Sequence, residues 1–161
     1  MKRCLYLAPG WGLGVLYFMG DDLVACDEPC EGIRCEDGQS SPLQAGPLAG
    51  RLIAVLRGEV DDFEDVDCAP AIDYAALSLF EAAVVRAVRT IPRGETASYR
   101  EIAELTGQPR AWRAAGTACG RGVLSVIVPY HRVIRSDGNI GEYGSGGSTR
   151  KRRLLALEGV R

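Results

Sequence analysis

Ser98-Tyr-Arg-Glu-Ile-Ala-Glu-Leu-Thr-Gly-Gln-Pro-Arg-Ala-Trp-Arg-Ala-Ala-Gly-Thr-Ala-Cys-Gly120 is the stretch on which the fold turns. Ser98 followed three residues later by Glu101 is a capping-box pattern, Ile102 and Leu105 recur at an inward-facing helical spacing, and Gly107 supplies a stop. Pro109 then opens a second short helix reaching about residue 119, so the segment reads as helix, tight turn, helix, a helix-turn-helix candidate. Beyond Arg110, Trp112 and Arg113 that second helix carries almost only small residues. Such a helix can approach DNA closely, even in the minor groove, whereas a major-groove reader needs long side chains. Tight helix packing accounts for the same small residues equally well.

Upstream, Ala76, Phe80, Ala83, Val84, Ala87, Val88 and Ile91 recur at three- and four-residue spacings, a helix ended by Pro92 and Gly94. Downstream, the β-branched run 123–128 reads as a buried strand ended by Pro129. A glycine-rich loop follows over 138–147, then a last helix over 148–157 closed by Gly159. Arg150-Lys-Arg-Arg153 lies in the first turn of that helix, where cations oppose the helix dipole. Phosphate is the natural offset, and a solvated face is the alternative. The first half reads as a strand meander over 4–8, 13–19 and 23–26, a helix over 46–56, and a charge-dense linker over 59–67. The expected class is α+β: a small N-terminal α/β domain with a cysteine cluster over 1–72, and a DNA-binding domain over 73–161.

The net charge of −2 over 161 residues conceals an asymmetry. Residues 1–74 hold 5 Lys and Arg against 14 Asp and Glu, while 75–161 hold 14 against 7. A basic half on an acidic chain suits a polyanion, because clustered arginine releases phosphate counterions; a solvated basic surface is the plain alternative. Five of the six cysteines, Cys4, Cys26, Cys30, Cys35 and Cys68, fall in the acidic half. Their spacing is looser than usual zinc pairs, and leaves structural zinc, disulfides and free thiols all open. No run approaches the roughly 18 apolar residues of a membrane span, and the N-terminus lacks the order of a signal peptide. A monomer without membrane contact, cytoplasmic or, in a eukaryote, nuclear, is expected.

Ile91-Pro-Arg-Gly-Glu-Thr-Ala-Ser-Tyr99, Arg113-Ala-Ala-Gly116, Val128-Pro-Tyr-His-Arg-Val133, Gly141-Glu-Tyr143 and Leu154-Leu-Ala-Leu-Glu-Gly159 occur in one order over residues 75–160. In that order and close to that spacing they resemble the DNA-binding and active-site domain of the O6-alkylguanine-DNA alkyltransferases. The resemblance implies a helix-turn-helix in the minor groove, Arg113 as the finger that enters the base stack, and Tyr99 as the residue that helps rotate the nucleotide. The DNA contacts it implies, together with those read from charge, are Tyr99, Arg110, Arg113, Ala114, Gly116, Arg132, Arg150 and Lys151. The implied lesion pocket is Val128, Pro129, Tyr130, Tyr143, Gly144, Ser145 and Gly146. Flipping makes physical sense, because a group on guanine O6 is inaccessible inside a stacked duplex.

The departure is at the reacting atom. The family reads Pro-Cys-His-Arg, with the cysteine activated through histidine and glutamate; here His131 and Glu158 match that pair while Tyr130 stands at the acceptor position. A phenol with an ordinary pKa near 10 is a poor substitute for a thiolate, and Cys119 lies on the second helix of the pair. The pattern resembles the alkyltransferase-like proteins, which bind alkylated guanine without repairing it and hand it to nucleotide excision repair. A second departure is Gly122, where the family often has asparagine. The resemblance therefore implies a sensor of duplex DNA carrying O6-alkylguanine, needing no cofactor and working with nucleotide excision repair proteins. Two alternatives stand beside it: a methylated-DNA-protein-cysteine methyltransferase whose acceptor cysteine has been exchanged for tyrosine, and a DNA-binding module that does not flip bases.

Overall fold

A computed structural model describes residues 1–30, 46–60, 62–144 and 146–160; Cys35 and Ser145 lie outside the described residues, as does the Cys30 side chain. Three antiparallel strands, β1 (Lys2–Ala8), β2 (Gly12–Met19) and β3 (Asp22–Cys30), form a meander in sequence order. Its turns fall at Gly10 and Gly20, both with positive φ, which a residue lacking Cβ adopts freely. Tyr6 pairs with Gly14 across β1 and β2, and its ring covers that glycine so closely that a Cβ there would come within 3.0 Å of ring atoms.

Helix α1 (Pro47–Leu56) follows, burying Ala49, Leu52, Val55 and Leu56 at helical spacing. The indole of Trp11 donates to the Leu56 carbonyl at 2.7 Å and so fixes the end of α1 to the first hairpin. The expected linker over 59–67 is a packed connector. Phe63 is fully buried, Arg89 donates to the Phe63 and Val66 carbonyls, and Arg51 grips Asp65 with both guanidinium nitrogens. One aromatic in an acidic stretch is enough to anchor it, since burying a phenylalanine contributes roughly 2 kcal/mol.

Helices α2 (Ala69–Tyr74), α3 (Leu79–Arg89), α4 (Tyr99–Leu105), α5 (Trp112–Gly120) and α6 (Gly147–Leu157) make up the rest, with a two-residue parallel pair, β4 (Ala97–Ser98) and β5 (Val133–Ile134). Helix α3 begins later than its apolar stripe suggested, because Ser78 and Glu81 form a full capping box there. The run 123–128 is no strand. It curls through a single bridge between Ser125 and Val128, with Leu124 and Val126 at positive φ and the Val128 amide bonded to the Leu124 carbonyl. Val126, Ile127 and Val128 are buried and Val123 is half-buried, without a regular strand ladder, and β propensity reports fit to a packed surface more than backbone preference. Buried residues from the meander, the connector and the helices form one hydrophobic core. Among the described residues no helix is long and apolar enough to cross a membrane.

The basic start of α6 is a latch onto the first half. Arg150 pairs with Glu28 at 2.9 Å and donates to the Pro29 carbonyl. Arg153 donates to the Gly10 carbonyl at 2.7 Å and lies 3.7 Å above the Trp11 ring. Replacing Arg150 with methionine should therefore cost about 3 kcal/mol of stability in urea unfolding, by stranding the buried Glu28 carboxylate. An unchanged midpoint would show that the pair contributes nothing.

Candidate nucleic-acid interface and pocket

The helix pair starts where the sequence put it. Ser98 caps α4, its amide donating to the Glu101 carboxylate at 2.6 Å and its hydroxyl accepting from the Glu101 amide at 3.2 Å. The second helix opens at Trp112, later than Pro109 suggested, because residues 109–111 complete the turn, with the Ala111 amide bonded to the Gln108 carbonyl. Helix α5 buries Ala115 and Ala118 in the angle between α3 and α4. That leaves Arg110, Trp112, Arg113, Ala114, Thr117 and Gly120 on the open side. The packing reading of the small residues holds for the buried face, and the other face is open. Gly116 lies against the half-buried Tyr99 ring, which a Cβ there would touch at 3.7 Å. The Arg113 guanidinium stacks over the Trp112 ring at 4.8 Å, and Trp112 is 43% exposed, an aromatic beside the finger position whose stacking the sequence did not disclose.

Behind the helix pair, a 3-10 turn carries Tyr130, His131 and Arg132. His131 Nε2 lies 2.9 Å from Glu158 Oε1, and both side chains are only 3% exposed. Arg132 reaches the same carboxylate through Nε at 3.0 Å and Nη2 at 2.9 Å, and donates through Nη1 to the Ile91 carbonyl. The Gly94 amide donates to the other carboxylate oxygen. Burial alone would raise the Glu158 carboxyl, but hydrogen bonds and charge from His131 and Arg132 outweigh it and hold it at about 2. Burial likewise pushes His131 below its ordinary value against the pull of Glu158, which favours a neutral imidazole.

Tyr130 is 2% exposed. Its hydroxyl lies enclosed beside the Val123 backbone, and burial pushes it well above the ordinary phenol range, more than that backbone contact offsets. A Cβ built on Gly122 would stand within 3.0 Å of Cζ, Cε1 and Cε2 of Tyr130, so the ring occupies the space above that glycine. Val128 and Pro129 are buried beneath the turn. Tyr143 is buried too, donating to Glu28 Oε1 at 2.5 Å. Gly144 lies so close to the end of α5 that a Cβ there would meet the Gly120 carbonyl oxygen at 2.5 Å. Gly146 adopts φ +99 at the start of α6.

Three expected DNA contacts are corrected by burial and pairing. Arg132 is inside, bound to Glu158. Lys151 is 1% exposed; its ammonium donates to the Val133 carbonyl at 2.5 Å, with the Tyr99 hydroxyl and the Glu142 carbonyl at 3.5 Å, and burial pulls it down to about 8. Arg150 is half-buried and turned to Glu28. A protein carboxylate, carbonyls and aromatic rings lie against Arg150, Lys151 and Arg153 at this helix start, while Arg152 is exposed.

Cys26, Cys68 and Cys119 are free thiols among the described residues. Cys4 and Cys26 both pair with Leu16 in the meander, whereas Cys68 receives the Arg89 guanidinium at the start of α2. Among the described residues no group of three or more His, Cys, Asp or Glu gathers in metal-binding geometry.

Residues 79–160 match the family 6-O-methylguanine DNA methyltransferase, DNA binding domain. The chain belongs to this family. It is 39% identical over 151 residues to the methylated-DNA–protein-cysteine methyltransferase of Methanothermobacter thermautotrophicus, covering 92% of this chain and 80% of that relative. It is 53% identical over 108 residues to the protein of the same name from Mycolicibacterium paratuberculosis, but that match spans 61% of the relative's length. The fold is similar to the crystal structure of Mycobacterium tuberculosis OGT in complex with DNA, with a TM-score of 0.75 at 32% identity over 98% of this chain and 92% of that one. The α+β architecture of the family, a small antiparallel sheet followed by a helical DNA-binding domain, is the one expected from the sequence.

The paired Glu158 makes stability depend on pH with a definite sign. Because its folded value lies below its ordinary 4.5, its contribution is complete above that value and is lost as pH falls toward about 2. His131, held neutral, adds a cost in the same direction as pH drops below its ordinary 6.5. Glu158→Gln should lose about 3 kcal/mol at neutral pH by leaving Arg132 unpaired. Its deficit relative to wild type should shrink in urea titrations between pH 5 and pH 3, and a constant deficit over that range would contradict the assignment.

Proposed function

We propose that the chain binds duplex DNA carrying O6-alkylguanine through α4 and α5, draws the damaged base toward the turn at Tyr130, and leaves the alkyl group on it. The observation that carries this reading is the tyrosine at the acceptor position, folded onto Gly122 within an otherwise retained His131–Glu158 site. Alkyl transfer needs a thiolate, and a phenol raised by burial stays protonated at neutral pH. Cys119 offers no replacement, because burial pushes its thiol up to about 12. The His131–Glu158 pair, without a thiol to activate, serves to hold the turn.

Binding rests on the open side of α5. Arg110 and Arg113 are exposed there and supply phosphate and base-stack contacts, while Ala114 and Gly120 let the helix backbone approach the groove. Arg113 fills the gap left by the extruded nucleotide, and a lesion that weakens its own pairing lowers the cost of extrusion. Tyr143 and the glycines at 144 and 146 border the receiving space. In this reading the protein acts as a monomer inside the cell, without a cofactor, and marks the site for nucleotide excision repair proteins. Zinc or disulfide bonding among the N-terminal cysteines would be structural only. The near-complete burial of Tyr130 favours a second reading, a module that docks without flipping.

Fluorescence anisotropy on matched duplexes, with and without O6-methylguanine, tests both. The lesion duplex should bind about tenfold tighter, a difference of ~1.4 kcal/mol, and equal affinities would contradict the sensor reading. Arg113→Ala should erase that preference; weakening both duplexes equally would favour the module instead. Arg110→Ala should weaken both alike and reduce the salt slope by about 1.

A further inference from the structure

The contact between Tyr130 and Gly122 has a built character that the missing thiol alone does not explain. Gly122 follows α5 by two residues, and its φ is not in the left-handed region, where glycine would be required. Its backbone would accept any L residue, and the ring of Tyr130 is what fills the space. On the neighbouring side, Gly144 packs backbone to backbone on the Gly120 carbonyl. The last turn of α5 is therefore gripped from two directions, by a ring from the turn that carries His131 and by the loop that follows Tyr143. The other end of α5 presents Trp112 and Arg113 to solvent.

We propose that the Tyr130 ring seated on Gly122 is a peg that fixes the end of α5 against the His131–Glu158 turn, and that lesion preference depends on this register. Tyr130 and Gly122 are then positioning residues acting as one unit. The ring does this by shape. Its hydroxyl meets only the Val123 backbone, whereas Cζ and both Cε atoms of the ring fill the space above Gly122. The role in lesion preference rests on the DNA-binding reading above, whereas the peg itself is a property of the folded chain.

A double-mutant cycle over wild type, Gly122→Ala, Tyr130→Ala and the double variant separates the two. Gly122→Ala alone should lower Tm, because the new methyl meets the ring. In the Tyr130→Ala background the same change should be neutral or raise Tm, since alanine at an unstrained glycine position restricts the unfolded chain. Equal Tm losses in both backgrounds overturn the peg. If Gly122→Ala does not fold, recovery of folding in the double variant supports the peg and failure to recover overturns it. Binding is read as the ratio of lesion to control affinity. Gly122→Ala should reduce that ratio about tenfold, within the range of coupling between contacting residues. A cycle coupled in Tm with a ratio unmoved by Gly122→Ala overturns the positioning role. Equal wild-type binding to both duplexes would sink the lesion reading instead, and the Tm cycle would then decide the peg by itself.

Discussion

The Glu158 carboxylate accepts hydrogen bonds from His131, Arg132 and the Gly94 amide in a place almost closed to water. Three separate pieces of chain meet on those two oxygens: the end of α6, the 3-10 turn, and the connection leaving α3. A buried carboxylate is tolerable only when its partners replace the water it lost, so the three pieces cannot shift independently. Tyr130 stands beside that knot and inherits its fixed position. Arg132 carries the constraint one step further by tying the end of α3 through the Ile91 carbonyl.

The helix pair was legible because its signals are local. A serine three residues before a glutamate, a buried isoleucine and a terminal glycine determine α4 almost without reference to the rest of the chain, whereas Leu105, expected to face inward with Ile102, is 62% exposed at the helix end, and Ala103 is buried instead. The meander was legible for the same reason, its strands ending at glycines that the turns need. What escaped was decided at a distance. The run 123–128 has strand composition, yet the backbone around it offers no edge to pair with, and the side chains are buried by curling. The acidic connector looked free because one phenylalanine and one distant arginine, Phe63 and Arg89, are what pin it.

The candidate site shows the same division. His131 and Glu158 were readable as a pair and lie in hydrogen-bond contact. Of the arginines of α6, Arg150 and Arg153 find partners, Glu28, Pro29, Gly10 and Trp11, that are more than a hundred residues away in sequence and so were not readable. Charge summed over half a chain does not separate cations facing solvent from cations that close the protein on itself. Arg132 and Lys151 are buried and Arg150 is half-buried, whereas Arg110 and Arg113 stand exposed about α5, with Arg100 and Arg152 among the other exposed cations. The tyrosine was visible at once as a departure, while its fit to Gly122 required three-dimensional proximity.

In our account, a family site that retains its histidine and glutamate has exchanged a reactive sulfur for a ring that cannot leave with an alkyl group. Intact-protein mass spectrometry after incubation of the wild-type chain with excess O6-methylguanine duplex addresses that most directly. The account predicts an unchanged protein mass and a duplex that still carries its methyl group. A protein heavier by one methyl group in proportion to the methyl lost from DNA would contradict it.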